Sequence, residues 1–98
     1  MSELQRSAPT VMVTGAAGSL GSAVAEAFNG FGANLALIDL DKAQLQRAYP
    51  HPSERQLLLP ADLLEQAQVQ GAVDQALKRF QRIDVLCNVA GGFRMGPA

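Results

Sequence analysis

Short continuous apolar runs alternate along this chain with apolar stripes of helical period. The runs are Val11-Met12-Val13, Leu35-Ala36-Leu37-Ile38, Leu57-Leu58-Leu59 and Val85-Leu86-Cys87. Being apolar on both faces, they suit parallel strands covered by helices on either side, and strands are predicted over 11–13, 34–39, 56–59 and 83–88. Between the first two runs, Leu20, Ala23, Val24, Ala27, Phe28 and Phe31 recur at helical spacing. They form a stripe on a helix that Gly30 and Gly32 close. Val69, Ala72, Val73, Ala76, Leu77 and Phe80 make a second such stripe after the third run. A shorter helix is predicted over 41–48, stopped by Pro50 and Pro52.

The resulting order, β-α-β-α-β-α-β with no linker or repeat, predicts an α/β fold: a three-layer Rossmann-type parallel sheet with right-handed crossovers. Four strands in the order 3-2-1-4 are the most economical arrangement, with the sheet truncated after the fourth. The reversal between strands one and four creates a topological switch point at their C-terminal ends. Both glycine segments, Gly15 to Gly21 and Ala90 to Gly92, converge there.

Composition narrows the function classes. The chain has 98 residues, 48% of them apolar, a net charge of −1 and no tryptophan, which describes one ordinary soluble domain or part of one. Its eight basic residues are scattered, so nucleic acid is not an expected partner. No apolar run approaches the ~18 residues of a membrane span, and Met1 to Pro9 carries no apolar signal segment. A cytoplasmic location is the default expectation. Cys87, the single cysteine, agrees with a reducing compartment and reads as a small buried hydrophobe. His51, between Pro50 and Pro52, reads as part of a surface turn with no second metal ligand spaced to join it.

The chemistry concentrates in Thr14-Gly15-Ala16-Ala17-Gly18-Ser19-Leu20-Gly21, where a strand ends in glycines and opens a helix. A pyrophosphate approaches backbone N–H groups only where no side chain intervenes, and the helix dipole then favours its charge. Gly15 would supply the tight turn and Gly18, or the small Ser19, the close approach. Gly21 would let the helix pack against the strand below. A plain strand-to-helix connection is the alternative reading of this loop taken by itself. Asp39, closing strand two, adds a carboxylate placed to accept hydrogen bonds from the adenosine ribose and to repel a 2′-phosphate. Neither Ser19 nor Leu40 supplies the cation that NADP recognition needs, so NAD is favoured over NADP. The alternative role for Asp39 is to cap the helix that starts near Asp41. Asp84, at a helix-to-strand turn, reads as structural.

Thr14 to Gly21, Asp62-Leu63 and Asn88-Val89-Ala90-Gly91 together resemble the short-chain dehydrogenases/reductases. The N-terminal half of that family carries a Thr-Gly-rich loop, an Asp after strand three and an Asn-Asn-Ala-Gly segment after strand four. The resemblance covers residues 9 to 93, so 1–8 read as a tail and 9–98 as a partial NAD(P)-binding domain. It implies that Asp62 hydrogen-bonds the adenine amino group with Leu63 packed nearby, and that Asn88 to Gly91 run along the adenosine and ribose. Asp62 could also serve as the N-cap of the Val69 helix. The candidate cofactor-binding set is Gly15, Ala17, Gly18, Ser19, Leu20, Gly21, Asp39, Leu40, Asp62, Leu63, Asn88, Ala90 and Gly91.

Two departures from the family pattern stand out. The loop reads T-G-x-x-G-x-x-G, with Ser19 where the classical spacing has glycine; this spacing is closer to the extended branch, although the Asn-Val-Ala-Gly segment looks classical. The family's Tyr-x-x-x-Lys pair is not found, since the single tyrosine, Tyr49, is followed four residues later by Ser53 and reads as an amphipathic residue near a helix end. No catalytic residue is therefore assigned, and this chain alone is expected to be inactive. The resemblance implies a parent oxidoreductase moving hydride between NAD(H) and an alcohol or carbonyl substrate; the alternative is a non-catalytic dinucleotide-binding module or sensor. Strand four is expected to be an open edge, with one face of the sheet half covered. Exposing three apolar side chains there forfeits roughly 5–9 kcal/mol, comparable to a domain's whole stability. Self-association, or a missing C-terminal half docking through strand four, is the expected remedy.

Overall fold

A computed structural model describes residues 8–89. Its elements are β1 (Thr10–Thr14), α1 (Ser19–Gly30), β2 (Asn34–Asp39), α2 (Lys42–Ala48), β3 (Gln56–Pro60), α3 (Gln66–Phe80) and β4 (Val85–Asn88). The strands form one parallel sheet in the order β3-β2-β1-β4, as the alternating pattern predicts. Successive side chains of a strand point to opposite faces, so the register divides the core in two. Val11, Val13, Leu35 and Leu37 pack with Ala25 of α1 and Leu45 of α2 on one face. Met12, Ala36, Ile38 and Leu59 pack with Ala72 and Ala76 of α3 on the other. This is the three-layer arrangement that right-handed crossovers require.

Several boundaries differ from the sequence expectation, each for a local reason. β3 runs one residue further, through Pro60, which sits opposite Asp39. The N–H that bonds the Asp39 carbonyl belongs to Ala61, so the donor proline lacks faces outward from an edge strand and no ladder bond is lost. β4 starts at Val85 rather than Ile83, because Asp84 is engaged with the start of β1. Its Oδ2 accepts the Thr10 N–H at 2.8 Å and its own N–H donates to the Thr10 carbonyl at 2.9 Å. Arg82 grips the same carboxylate at 2.7 Å. The hydrogen bond from Arg82, with help from the Thr10 N–H, holds the Asp84 carboxyl below the usual range. Asp84 is structural, as its position suggests.

The face of α1 is a larger correction. Its six-residue stripe is predicted to point inward, but Gly21 and Ala25 are the buried residues, with Val24 and Phe28 half-buried beside them. Leu20, Ala23, Ala27 and Phe31 face out, Phe31 being 85% exposed. The smallest side chains occupy the contact, which brings the helix axis close to the sheet. Gly30 has open space around it, so the stop belongs to Gly32 at φ +80°. In α3 the predicted stripe holds for Ala72, Ala76 and Phe80, while Leu77 turns outward. Cys87 is half-buried rather than enclosed, because β4 is an edge.

Candidate functional site

The β1–α1 loop turns at Gly15, whose φ of +67° lies in the left-handed region that favours glycine. Two backbone bonds fasten it: Gly18 N–H to the Gly15 carbonyl at 3.1 Å, and Ala16 N–H to the Ile38 carbonyl of β2 at 3.0 Å. Gly21 is demanded by the loop itself rather than by the strand below. A Cβ at that position would lie 2.0 Å from the Gly15 carbonyl oxygen and 3.0 Å from the Ala16 Cα. At Gly18 the same added atom would meet the Gly15 oxygen at 3.5 Å, an ordinary contact. The fold alone therefore leaves room for a side chain at 18.

Gly18 is the N-cap of α1 and no side chain caps it. Ser19 and Leu20, the first residues of the helix, are exposed. An uncapped helix N-terminus with glycine at the cap leaves N–H groups and the positive end of the dipole open to an anion.

Asp39 closes β2 facing this loop. Its Oδ2 accepts the Ala17 N–H at 2.9 Å and its Oδ1 accepts the Leu40 N–H at 2.7 Å. It does not cap α2. That role falls to Asp41, whose Oδ1 accepts from Ala43 N–H at 2.8 Å and Gln44 N–H at 3.4 Å. An ionised carboxylate has about four acceptor positions, so both oxygens of Asp39 keep capacity for ligand hydroxyls.

Gly15, Asp39, Leu40, Ala61, Asp62 and Leu63 line one cavity of about 180 Å³. Five of the residues nominated from sequence thus meet at the C-terminal ends of β1, β2 and β3, where the described lining holds two carboxylates and no cation. Asp62 is not a helix cap, contrary to one of its two expected roles. α3 begins only at Gln66, its N-cap is Glu65, and the Asp62 Oδ1 instead accepts the Leu64 N–H at 2.9 Å. The Gln68 side chain reaches back from α3 to take the Asp62 N–H at 2.8 Å, which fixes the turn. Asn88 accepts the Thr14 hydroxyl at 2.7 Å and ties the end of β4 to the start of the glycine loop. Ala90 and Gly91 lie outside the described residues.

Sequence reasoning missed the part Tyr49 plays. It is the C-cap of α2, packed against the first core, and its hydroxyl donates to the Ala16 carbonyl at 2.8 Å. Burial raises its pKa, and the charge of Asp39 raises it further. The one available signal was its spacing of four from Leu45, which puts both on the inward side of α2.

A family model described as short chain dehydrogenase matches residues 9–98. The chain belongs to the short-chain dehydrogenase family. It is 37% identical over 84 residues to a CLA biosynthesis dehydrogenase/reductase of Lactiplantibacillus plantarum, covering 83% of this chain and 29% of that protein. Over 92 residues it is 36% identical to a D-threitol dehydrogenase of Mycolicibacterium smegmatis, covering 89% of this chain and 35% of the relative. It also superimposes on a 3-ketoacyl-(acyl-carrier-protein) reductase from Brucella melitensis complexed with NADH, with a TM-score of 0.75 and 32% identity. That match covers 80% of this chain and 32% of the reductase. The chain thus spans about a third of the length of these relatives. They are oxidoreductases by name, and the four-stranded parallel sheet described above is the portion shared with the reductase.

Proposed function

We propose that this chain is the NAD-binding part of a short-chain dehydrogenase that moves hydride between NAD(H) and an alcohol or carbonyl compound. The observation that carries the reading is the placement of Asp39, facing the glycine loop and lining a cavity that Asp62 shares and that, among the described residues, no lysine or arginine enters. The residues fit the group: Gly18, Ser19, Leu20 and the uncapped N-terminus of α1 would hold the pyrophosphate, Asp39 the adenosine ribose, and Asp62 with Leu63 the adenine. The nicotinamide ring supplies the hydride acceptor or donor. This chain's residues bind and orient the dinucleotide from its adenosine end. A 2′-phosphate would bring two further negative charges toward Asp39 with no counter-charge among the described lining residues, and that favours NAD over NADP. The NADH held by the similar Brucella reductase supports a dinucleotide here.

Calorimetric titration with NAD and NADP tests the reading. NAD should bind at least about tenfold more tightly, a difference of ~1.4 kcal/mol, and Asp39→Asn should narrow the gap. Equal or tighter binding of NADP overturns the role given to Asp39, and binding of neither overturns the reading as a whole.

A further inference from the structure

The Ala16–Ala17 peptide is held at both ends by side chains from two different elements. Its carbonyl accepts the Tyr49 hydroxyl at 2.8 Å, and its N–H donates to Asp39 Oδ2 at 2.9 Å. The Ala16 N–H bond to the Ile38 carbonyl fixes the preceding peptide, and these two bonds fix this one. Turning the peptide breaks two hydrogen bonds at once. A hydrogen bond to the carbonyl also polarises the amide and strengthens its N–H as a donor, so the two contacts reinforce each other.

We propose that Tyr49 is a positioning residue of the cofactor site: by holding the Ala16 carbonyl it fixes the peptide that orients the Asp39 carboxylate toward the adenosine ribose. The inference rests on the NAD-binding reading above and adds to it a residue outside the loop and outside the cavity lining. Tyr49 is itself well anchored. Its N–H bonds the Leu45 carbonyl at 2.9 Å, and Leu45 is fully buried one turn earlier. Its ring lies against the first core, so phenylalanine would fill the same space without the hydroxyl.

NAD titration of the full chain as wild type, Tyr49→Phe, Asp39→Asn and the double variant tests the proposal, together with amide hydrogen exchange at Ala17. Tyr49→Phe should weaken NAD binding about three- to tenfold, the worth of one hydrogen bond. In the Asp39→Asn background the same change should cost less than about twofold, because the two side chains act through one peptide. The Ala17 amide should exchange faster in Tyr49→Phe while β1 and β2 keep their protection. Unchanged NAD affinity, or additive effects in the double variant, overturns the proposal. A wild type that binds no NAD overturns the proposed function instead; Ala17 exchange then decides the clamp alone, and unchanged exchange in Tyr49→Phe refutes it.

Discussion

At the scale of single residues, the two glycines at 18 and 21 answer to different demands. Gly21 is required by the folded chain, since a methyl there meets the backbone of Gly15 at 2.0 Å. Gly21→Ala should therefore lower the unfolding free energy by about 1–3 kcal/mol or more, read by urea denaturation. Gly18 meets no such obstacle, so Gly18→Ala should change stability by less than about 1 kcal/mol while weakening NAD binding, because the added methyl stands where the pyrophosphate would approach. Asp84 gives a pH signature. Its folded pKa is depressed, so the stability it contributes is present above the ordinary carboxylate range near 4 and is lost as pH falls through the lowered folded value. The stability gap between wild type and Asp84→Asn should accordingly close on acidification below about pH 4, as urea midpoints measured across pH would show.

At the scale of elements, strand and helix periods predict which segments exist but not how a helix is turned. The predicted stripe of α1 is divided by the structure: Val24 and Phe28 pack inward beside Gly21 and Ala25, while Leu20, Ala23, Ala27 and Phe31 face out. Hydrophobic period marks all six alike, and the close packing of helix on sheet decides which of them turn inward. Enlarging Ala25 to leucine should cost about 1–3 kcal/mol by overpacking, whereas the same change at exposed Ala27 should be nearly neutral. α2 is only seven residues long and depends on its cap, so Asp41→Ala should cost about 1 kcal/mol in the same denaturation measurement.

For the molecule as a whole, β4 is the outer strand among the described residues, and its outer apolar residues lack cover there. Leu86 is 61% exposed, on the same face as Met12 and α3, and Val85 is exposed on the other. Unpaired strand edges and contiguous apolar surface drive association. The 98-residue chain by itself should therefore self-associate, and Leu86→Lys should shift its sedimentation toward the monomer. A sharp melt independent of concentration in a proven monomer would refute an uncovered edge of this kind.

Much of the architecture was legible before any coordinates. Apolar runs, helical stripes and glycine positions depend on local geometry, and chain connectivity with right-handed crossovers then admits few arrangements, so element order and the 3-2-1-4 sheet followed. The glycine loop, Asp39 and Asp62 were legible for the same reason, each being tied to the end of a recognisable strand. Tertiary structure decided the rest. Asp39 kept two roles open, ribose contact and helix cap, until the turn placed it on the Ala17 N–H and Asp41 on the α2 N-terminus. Asp62 lost its capping role because α3 starts at Gln66, with Glu65 in the N-cap position. Tyr49 reaches a carbonyl 33 residues away. Contacts of that kind arise only when the crossovers bring distant segments together, and no periodicity in the chain encodes them.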